Sequence, residues 1–189
     1  MSSIVKPTPV FDRDDCFVYL RQCRTASRSI LAAMGDRAVE YHDRRRLWNR
    51  LNRNVHRRSD LFRFTIVRNP YSRALSQWRF LILRRRIPKV PFEKFTTEWL
   101  PKGCRLNYHL HSQSEFAAGA DFIGRFERLA EDWKIISRMC GLNCDLEFNE
   151  EHRSSPPGDW RDGYTVKAYK QVSRIYRLDI EKFGYEFSL

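Results

Sequence analysis

Phe62-Arg63-Phe64-Thr65-Ile66-Val67-Arg68-Asn69-Pro70-Tyr71-Ser72-Arg73-Ala74-Leu75-Ser76 is the stretch that decides the fold. All of residues 62–67 except Arg63 are β-branched or aromatic, which suits a pleated, buried strand. Arg68-Asn69-Pro70 breaks the run. Pro70 suits the first position of a helix, where its missing N–H is not needed. The helix is predicted to continue to about Arg85, with Leu75, Trp78, Leu81 and Ile82 on its apolar face. Strand, polar turn and helix therefore follow one another within a single short segment.

The same order occurs on either side of it. Phe17-Val18-Tyr19-Leu20 is a short strand, Arg21 to Ser27 a polar turn, and Ile30, Leu31, Ala33 and Met34 a helical pattern from Ser29 that stops at Gly35. Asp121-Phe122-Ile123-Gly124-Arg125-Phe126 reads as a buried strand before a helix from about Arg128 to Cys140. Three such repeats predict an α/β fold in three layers, a parallel β-sheet flanked by helices on both faces. In such sheets ligands bind beyond the carboxyl ends of the strands, where the three polar turns fall. The remaining chain is predicted to add a short strand at Ala38–Tyr41 and a basic helix from His42 to about Arg53. A helix around Phe92 to Leu100, an irregular stretch from Pro101 to Ser114, a polar loop over Asn149–Gly163 and a final helix over Val166–Phe183 follow. Residues 1–15 are expected to be an irregular lead-in to a single domain spanning 1–189.

With 189 residues, 42% hydrophobic and 31% charged, the chain has enough apolar side chains for a core and is not a low-complexity chain. No apolar run reaches the ~18–20 residues of a membrane span, and no secretory signal is visible at the start. A cytoplasmic location is the expectation. Lys and Arg exceed Asp and Glu by 12, a field that attracts anions. Arg44-Arg45-Arg46, Arg57-Arg58 and Arg84-Arg85-Arg86 are either solvated helix faces or a means of steering an anionic acceptor. The five cysteines are scattered and odd in number, which suits reduced thiols. Cys140 and Cys144 have no second pair at metal-ligand spacing, so no metal is expected.

Two turns have the composition of anion sites. Cys23-Arg24-Thr25-Ala26-Ser27-Arg28-Ser29 lies between strand and helix, where backbone N–H groups and the positive helix end receive phosphate. It contains no Walker A pattern, and an ordinary N-capping turn has a similar composition. Arg68 stands at the end of the second strand and Ser76 about two turns into its helix, with Arg68 suited to a bidentate contact or to pairing with a carboxylate.

These segments resemble the sulfotransferases that use 3′-phosphoadenosine 5′-phosphosulfate (PAPS), in particular the carbohydrate-type, family 2-like branch. Phe17–Leu20 with Cys23–Ile30 is similar to their 5′-phosphosulfate loop, and Phe64–Ser76 to their 3′-phosphate segment. Asp121–Leu129 with Glu131-Asp132-Trp133 is similar to a third block, and Asp179-Ile180-Glu181-Lys182-Phe183-Gly184-Tyr185 to their ending. The resemblance covers about residues 16–187 in order and implies a P-loop-like sulfotransferase fold. It implies that Arg24, Thr25, Ala26, Ser27, Arg28 and Ser29 hold the 5′-phosphosulfate, and that Arg68 and Ser76 hold the 3′-phosphate. Arg153 and Ser154, in a loop continuing through Pro156-Pro157-Gly158-Asp159-Trp160-Arg161, are further 3′-phosphate candidates.

The family usually has Lys at the position of Arg24, and Gly and Thr at those of Ser27 and Arg28. Arginine stays charged and grips two oxygens, so stabilisation of the leaving phosphate survives, but it cannot shed a proton. Transfer also needs a base for the acceptor hydroxyl, and histidine suits neutral pH. His42 is favoured, with His109, His111 and the carboxylate of Glu127 as alternatives. The resemblance thus implies an enzyme moving a sulfonyl group from PAPS to a hydroxyl, with 3′-phosphoadenosine 5′-phosphate (PAP) as product and a carbohydrate or glycoconjugate as acceptor. Nucleic acid is not expected as a partner. The readings kept beside it are a catalytically impaired PAP- or PAPS-binding relative and a basic nucleic-acid-binding protein.

Overall fold

The computed structural model describes residues 9–14, 16–40, 61–106, 110–147 and 159–187. Within them the chain forms two compact units, each assembled from separate stretches of sequence.

One unit, drawn from residues 7–67 and 116–148, contains the sheet. Its elements are β1 (Val10–Asp12), β2 (Phe17–Tyr19), α1 (Ser27–Met34), β3 (Ala38–Glu40), β4 (Phe62–Val67), β5 (Phe122–Arg125) and α6 (Leu129–Met139). The strand order is β3-β1-β2-β4-β5. β2, β4 and β5 run parallel, with Tyr19 opposite Phe64 and Val67 opposite Arg125. These are the three strands of the repeated strand–turn–helix pattern.

The sheet as a whole is mixed, which corrects the parallel sheet expected from the sequence. β1 pairs antiparallel with both β2 and β3. It also corrects the irregular lead-in, because Val10–Asp12 is a strand of this sheet. The physical reason is non-local. Asp12 is buried and takes two hydrogen bonds from Arg37, Nε to Oδ1 at 2.8 Å and Nη2 to Oδ2 at 2.8 Å. Three residues with too little pattern of their own are held by partners on both sides and by one ion pair.

Alternation along the strands divides the core. Phe17, Tyr19, Phe64 and Ile66 share one face with Ile30 and Met34 of α1 and with Leu129, Trp133 and Ile136 of α6. Among the described residues, α1 and α6 thus cover the same face. Phe11, Val18 and Leu61 form a smaller cluster on the opposite face. Gly124 permits the close packing at β5, since a Cβ there would lie 2.6 Å from the Ile66 side chain. Asp132 of α6 then accepts from the Arg125 N–H at 2.6 Å, fixing the end of that strand.

The other unit is helical, and its described residues start at Arg68. It contains α2 (Pro70–Leu83), α3 (Phe92–Lys94), a π-helical turn (Phe95–Trp99), α4 (Leu100–Leu106), α7 (Val166–Ile175) and α8 (Arg177–Phe183), and α5 (Gln113–Phe116) starts in it. Pro70 occupies the first turn of α2, and the Asn69 side chain caps it by accepting from the N–H groups of Tyr71 and Ser72. The predicted final helix is interrupted at Tyr176, whose φ of −104° and ψ of 25° separate α7 from α8. The stretch after Pro101 is helical as far as Leu106 rather than irregular. Pro101 follows directly on the π-helical turn, inside a helical run that continues from Phe92. Gly103 admits the Leu110 side chain against the helix backbone.

Candidate functional site

In the sheet unit, β2 leads through residues 20–26 into α1. Arg24 has φ of 67° and Ala26 φ of 59°, both left-handed, while Thr25 between them does not. Such alternation turns successive N–H groups toward a common concavity, a form that binds anions. No side chain caps α1 at Ala26, so its first N–H groups are not taken by a capping oxygen. The loop is braced from beneath. Thr25 is buried and its hydroxyl donates to the Gln22 carbonyl at 3.1 Å. Gln22 donates to Thr65 at 3.0 Å, and Thr65 donates to the Leu20 carbonyl at 2.7 Å, which ties the loop to β4. Ser29 is buried, Arg28 is exposed, and Arg24, Ala26 and Ser27 are intermediate. Burial, and further the neighbouring Arg28 charge, hold the Arg24 pKa below its ordinary value. The loop therefore combines oriented N–H groups with a partly desolvated guanidinium.

In the helical unit, Arg68 is fixed at both main chain and side chain. Its N–H donates to Gln113 Oε1 at 2.8 Å, and Gln113 Nε2 donates to its carbonyl at 2.7 Å. Its Nε donates to the Ser72 hydroxyl at 3.0 Å. Ser72 and Ser76, one turn apart on α2, are both buried. The next residue, Gln77, is 1% exposed and neither of its amide atoms has a hydrogen-bond partner.

The described end of the predicted polar loop over Asn149–Gly163, from Asp159 onward, is anchored on the same helix. Trp160 stacks parallel to Tyr71 at 6.3 Å between centroids, and the Tyr164 hydroxyl donates to the Tyr71 carbonyl at 2.8 Å. Arg161 lies 4.6 Å over the Trp160 ring and pairs with Asp159 at 2.9 Å. The structure thus brings the Arg68 segment and residues 159–164 into one helical unit.

A model of the sulfotransferase family matches residues 14–186. The chain belongs to the sulfotransferase family. This agrees with the family 2 resemblance carried by the four segments. No curated protein and no solved structure matches it significantly. Family membership makes the protein a transferase of sulfonyl groups in general.

Of the sequence-predicted site residues, the sulfotransferase presents Arg24, Thr25 and Ala26 in the loop, Ser27, Arg28 and Ser29 in the first turn of α1, Arg68 just before α2 and Ser76 in the second turn of α2. His42, His109, Arg153 and Ser154 lie outside the described residues. His111 is buried, with Nδ1 3.7 Å from Glu115, and its carbonyl accepts from Arg73 at 3.0 Å. Glu127 is exposed in the 3-10 turn after β5. Gln113 and Ser72, which hold Arg68, were not singled out by the sequence. Their only signal there is proximity to other polar residues. Among the described residues of the sulfotransferase, no helix is long and apolar enough to cross a membrane, and no three His, Cys, Asp or Glu side chains group as metal ligands.

Proposed function

We propose that this sulfotransferase takes its sulfonyl group from PAPS and delivers it to a hydroxyl on a carbohydrate or glycoconjugate, releasing PAP. The observation that carries the reading is the loop of left-handed Arg24 and Ala26 leading into the uncapped start of α1. Its N–H groups and the cations of Arg24 and Arg28 suit the 5′-phosphosulfate. Arg24, Thr25, Ala26, Ser27, Arg28 and Ser29 would hold that group, while Arg68, Ser76, Arg153 and Ser154 would hold the 3′-phosphate. The donor supplies an activated sulfonyl group on a phosphate leaving group. Arg24 would stabilise the negative charge that collects on the leaving oxygen. His42 would take the acceptor proton as the hydroxyl attacks sulfur in line. In this reading the protein is a single cytoplasmic domain of P-loop-like sulfotransferase fold.

Calorimetry with PAP is the test, and absence of binding at millimolar ligand removes the proposal. Arg68→Ala should abolish nucleotide binding, whereas His42→Ala should spare binding and remove turnover. Arg24, where the family usually has Lys, favours a second reading in which the nucleotide binds without turnover. Sulfate transfer that emerges only in Arg24→Lys would select it. Binding of DNA or RNA that falls steeply with salt, with no response to PAP, would instead favour the nucleic-acid reading.

A further inference from the structure

We propose that Gln113 and Asp179 are positioning residues that aim Arg68 at the 3′-phosphate, an inference that rests on the reading of Arg68 given above. The β4 ladder to β5 has its last register pair at Val67, opposite Arg125. At Arg68 the chain leaves the strand, and its N–H and carbonyl need other partners. Gln113 supplies both, at 2.8 Å and 2.7 Å, taking the place that a neighbouring strand would occupy. A primary amide is the side chain suited to this, because it accepts and donates side by side.

Gln113 is itself held by Asp179 of α8. Both residues are fully buried, at 0% exposure. Asp179 Oδ2 accepts from the Gln113 N–H at 2.8 Å, and Oδ1 accepts from the Ser114 N–H at 2.8 Å. The Ser112 hydroxyl also donates to Oδ1. One buried carboxylate thus gathers the start of α5, and the amide of its first residue sets the peptide of Arg68. With Nε committed to Ser72, main chain and side chain of Arg68 are both constrained. A guanidinium must meet phosphate oxygens in a fixed planar geometry, so a rotated peptide at its root weakens the contact even though the charge remains.

The test compares PAP with adenosine 5′-monophosphate, which lacks the 3′-phosphate, by calorimetry on the full chain. Gln113→Ala should weaken PAP about tenfold, the loss from one misplaced charge-assisted hydrogen bond, and leave the monophosphate unchanged. Asp179→Asn should show the same selectivity with a smaller loss. In an Arg68→Lys background, which keeps the charge but not the planar fork, Gln113→Ala should cost PAP little further affinity. Equal weakening of both nucleotides, or a full tenfold loss that persists with Lys at position 68, overturns the proposal and makes the pair merely structural. If Gln113→Ala does not fold, Gln113→Glu replaces it. It keeps an acceptor for the Arg68 N–H but sets a carboxylate against the Arg68 carbonyl, and it must still weaken PAP selectively. Unchanged PAP binding in Arg68→Ala alone would overturn the role of Arg68 itself, an outcome distinct from any result with Gln113.

Discussion

Arg24 lies in the field of Arg28, and burial together with that second charge pulls its pKa down. Two cations at one loop–helix junction repel each other, and an anion bound between their charges and the N–H groups of α1 removes the repulsion. Ligand binding should therefore appear as stability. At one hundred times its dissociation constant, PAP should stabilise the fold by about 2.7 kcal/mol, a rise in melting temperature of roughly 5–10 °C. Differential scanning fluorimetry checks this, with chloride matched for ionic strength as control. An equal rise in the Arg24→Gln, Arg28→Gln double variant would show that the loop is not responsible.

The left-handed backbone at Ala26 makes opposite predictions for two substitutions at that position. Ala26 has φ of 59°, a conformation in which a Cβ costs roughly 1–2 kcal/mol. Ala26→Gly should raise unfolding free energy by about 1 kcal/mol, less than the full strain because glycine also loosens the unfolded chain. Ala26→Val should lower stability by more than about 1 kcal/mol, since a branched side chain suits this region poorly. Urea unfolding of the three proteins measures both. A destabilised glycine variant would mean that the left-handed turn is absent in solution.

What the sequence made legible is what local residues determine. β4 and α2 follow from the apolar run at Phe62–Val67 and from Pro70, and the turns after β2 and β4 follow from the polar residues that end those runs. β1 was not legible, because Val10-Phe11-Asp12 is too short to carry a pattern and is held by two other strands and Arg37. The break of the last helix at Tyr176 likewise depends on packing, not on a Pro or Gly. At the candidate site, Arg24 and Arg68 were legible as charged residues in the turns that follow strands. Gln113 and Asp179 were not, because their contacts span 45 and 66 residues and run through backbone groups that any sequence possesses.

Gln77 supports a prediction of a different kind. Its amide is buried and both polar atoms lack partners, so each carries a desolvation cost without a compensating bond. Gln77→Met keeps the length of the side chain and removes the polar atoms. The variant should be more stable by about 1–2 kcal/mol without nucleotide. If Gln77 contacts the donor, that gain should be accompanied by weaker PAP binding. A variant less stable than the parent would show that the amide is satisfied in solution.

The ion pair that holds β1 gives the fold a defined response to acid. Burial alone would raise the Asp12 pKa, but hydrogen bonds and charge from Arg37, with the Cys16 N–H, outweigh it and hold the carboxyl below its ordinary 3.8. A carboxylate whose pKa is lowered by folding stabilises the native state above its unfolded value. The full contribution is therefore present above about pH 5 and fades as pH falls through 3.8 toward the lowered native value. Asp12→Asn keeps the shape but loses the charge, and should cost about 2 kcal/mol at pH 7, the scale of hydrogen bonds to a charged group. That difference between variant and parent should shrink below pH 4, where the carboxyl of the unfolded parent takes up its proton while the native one still resists it. Urea unfolding at a series of pH values follows it directly. A gap that stays constant down to pH 3 would show that Asp12 is not stabilised as a carboxylate, and that strand pairing alone keeps Val10–Asp12 in the sheet.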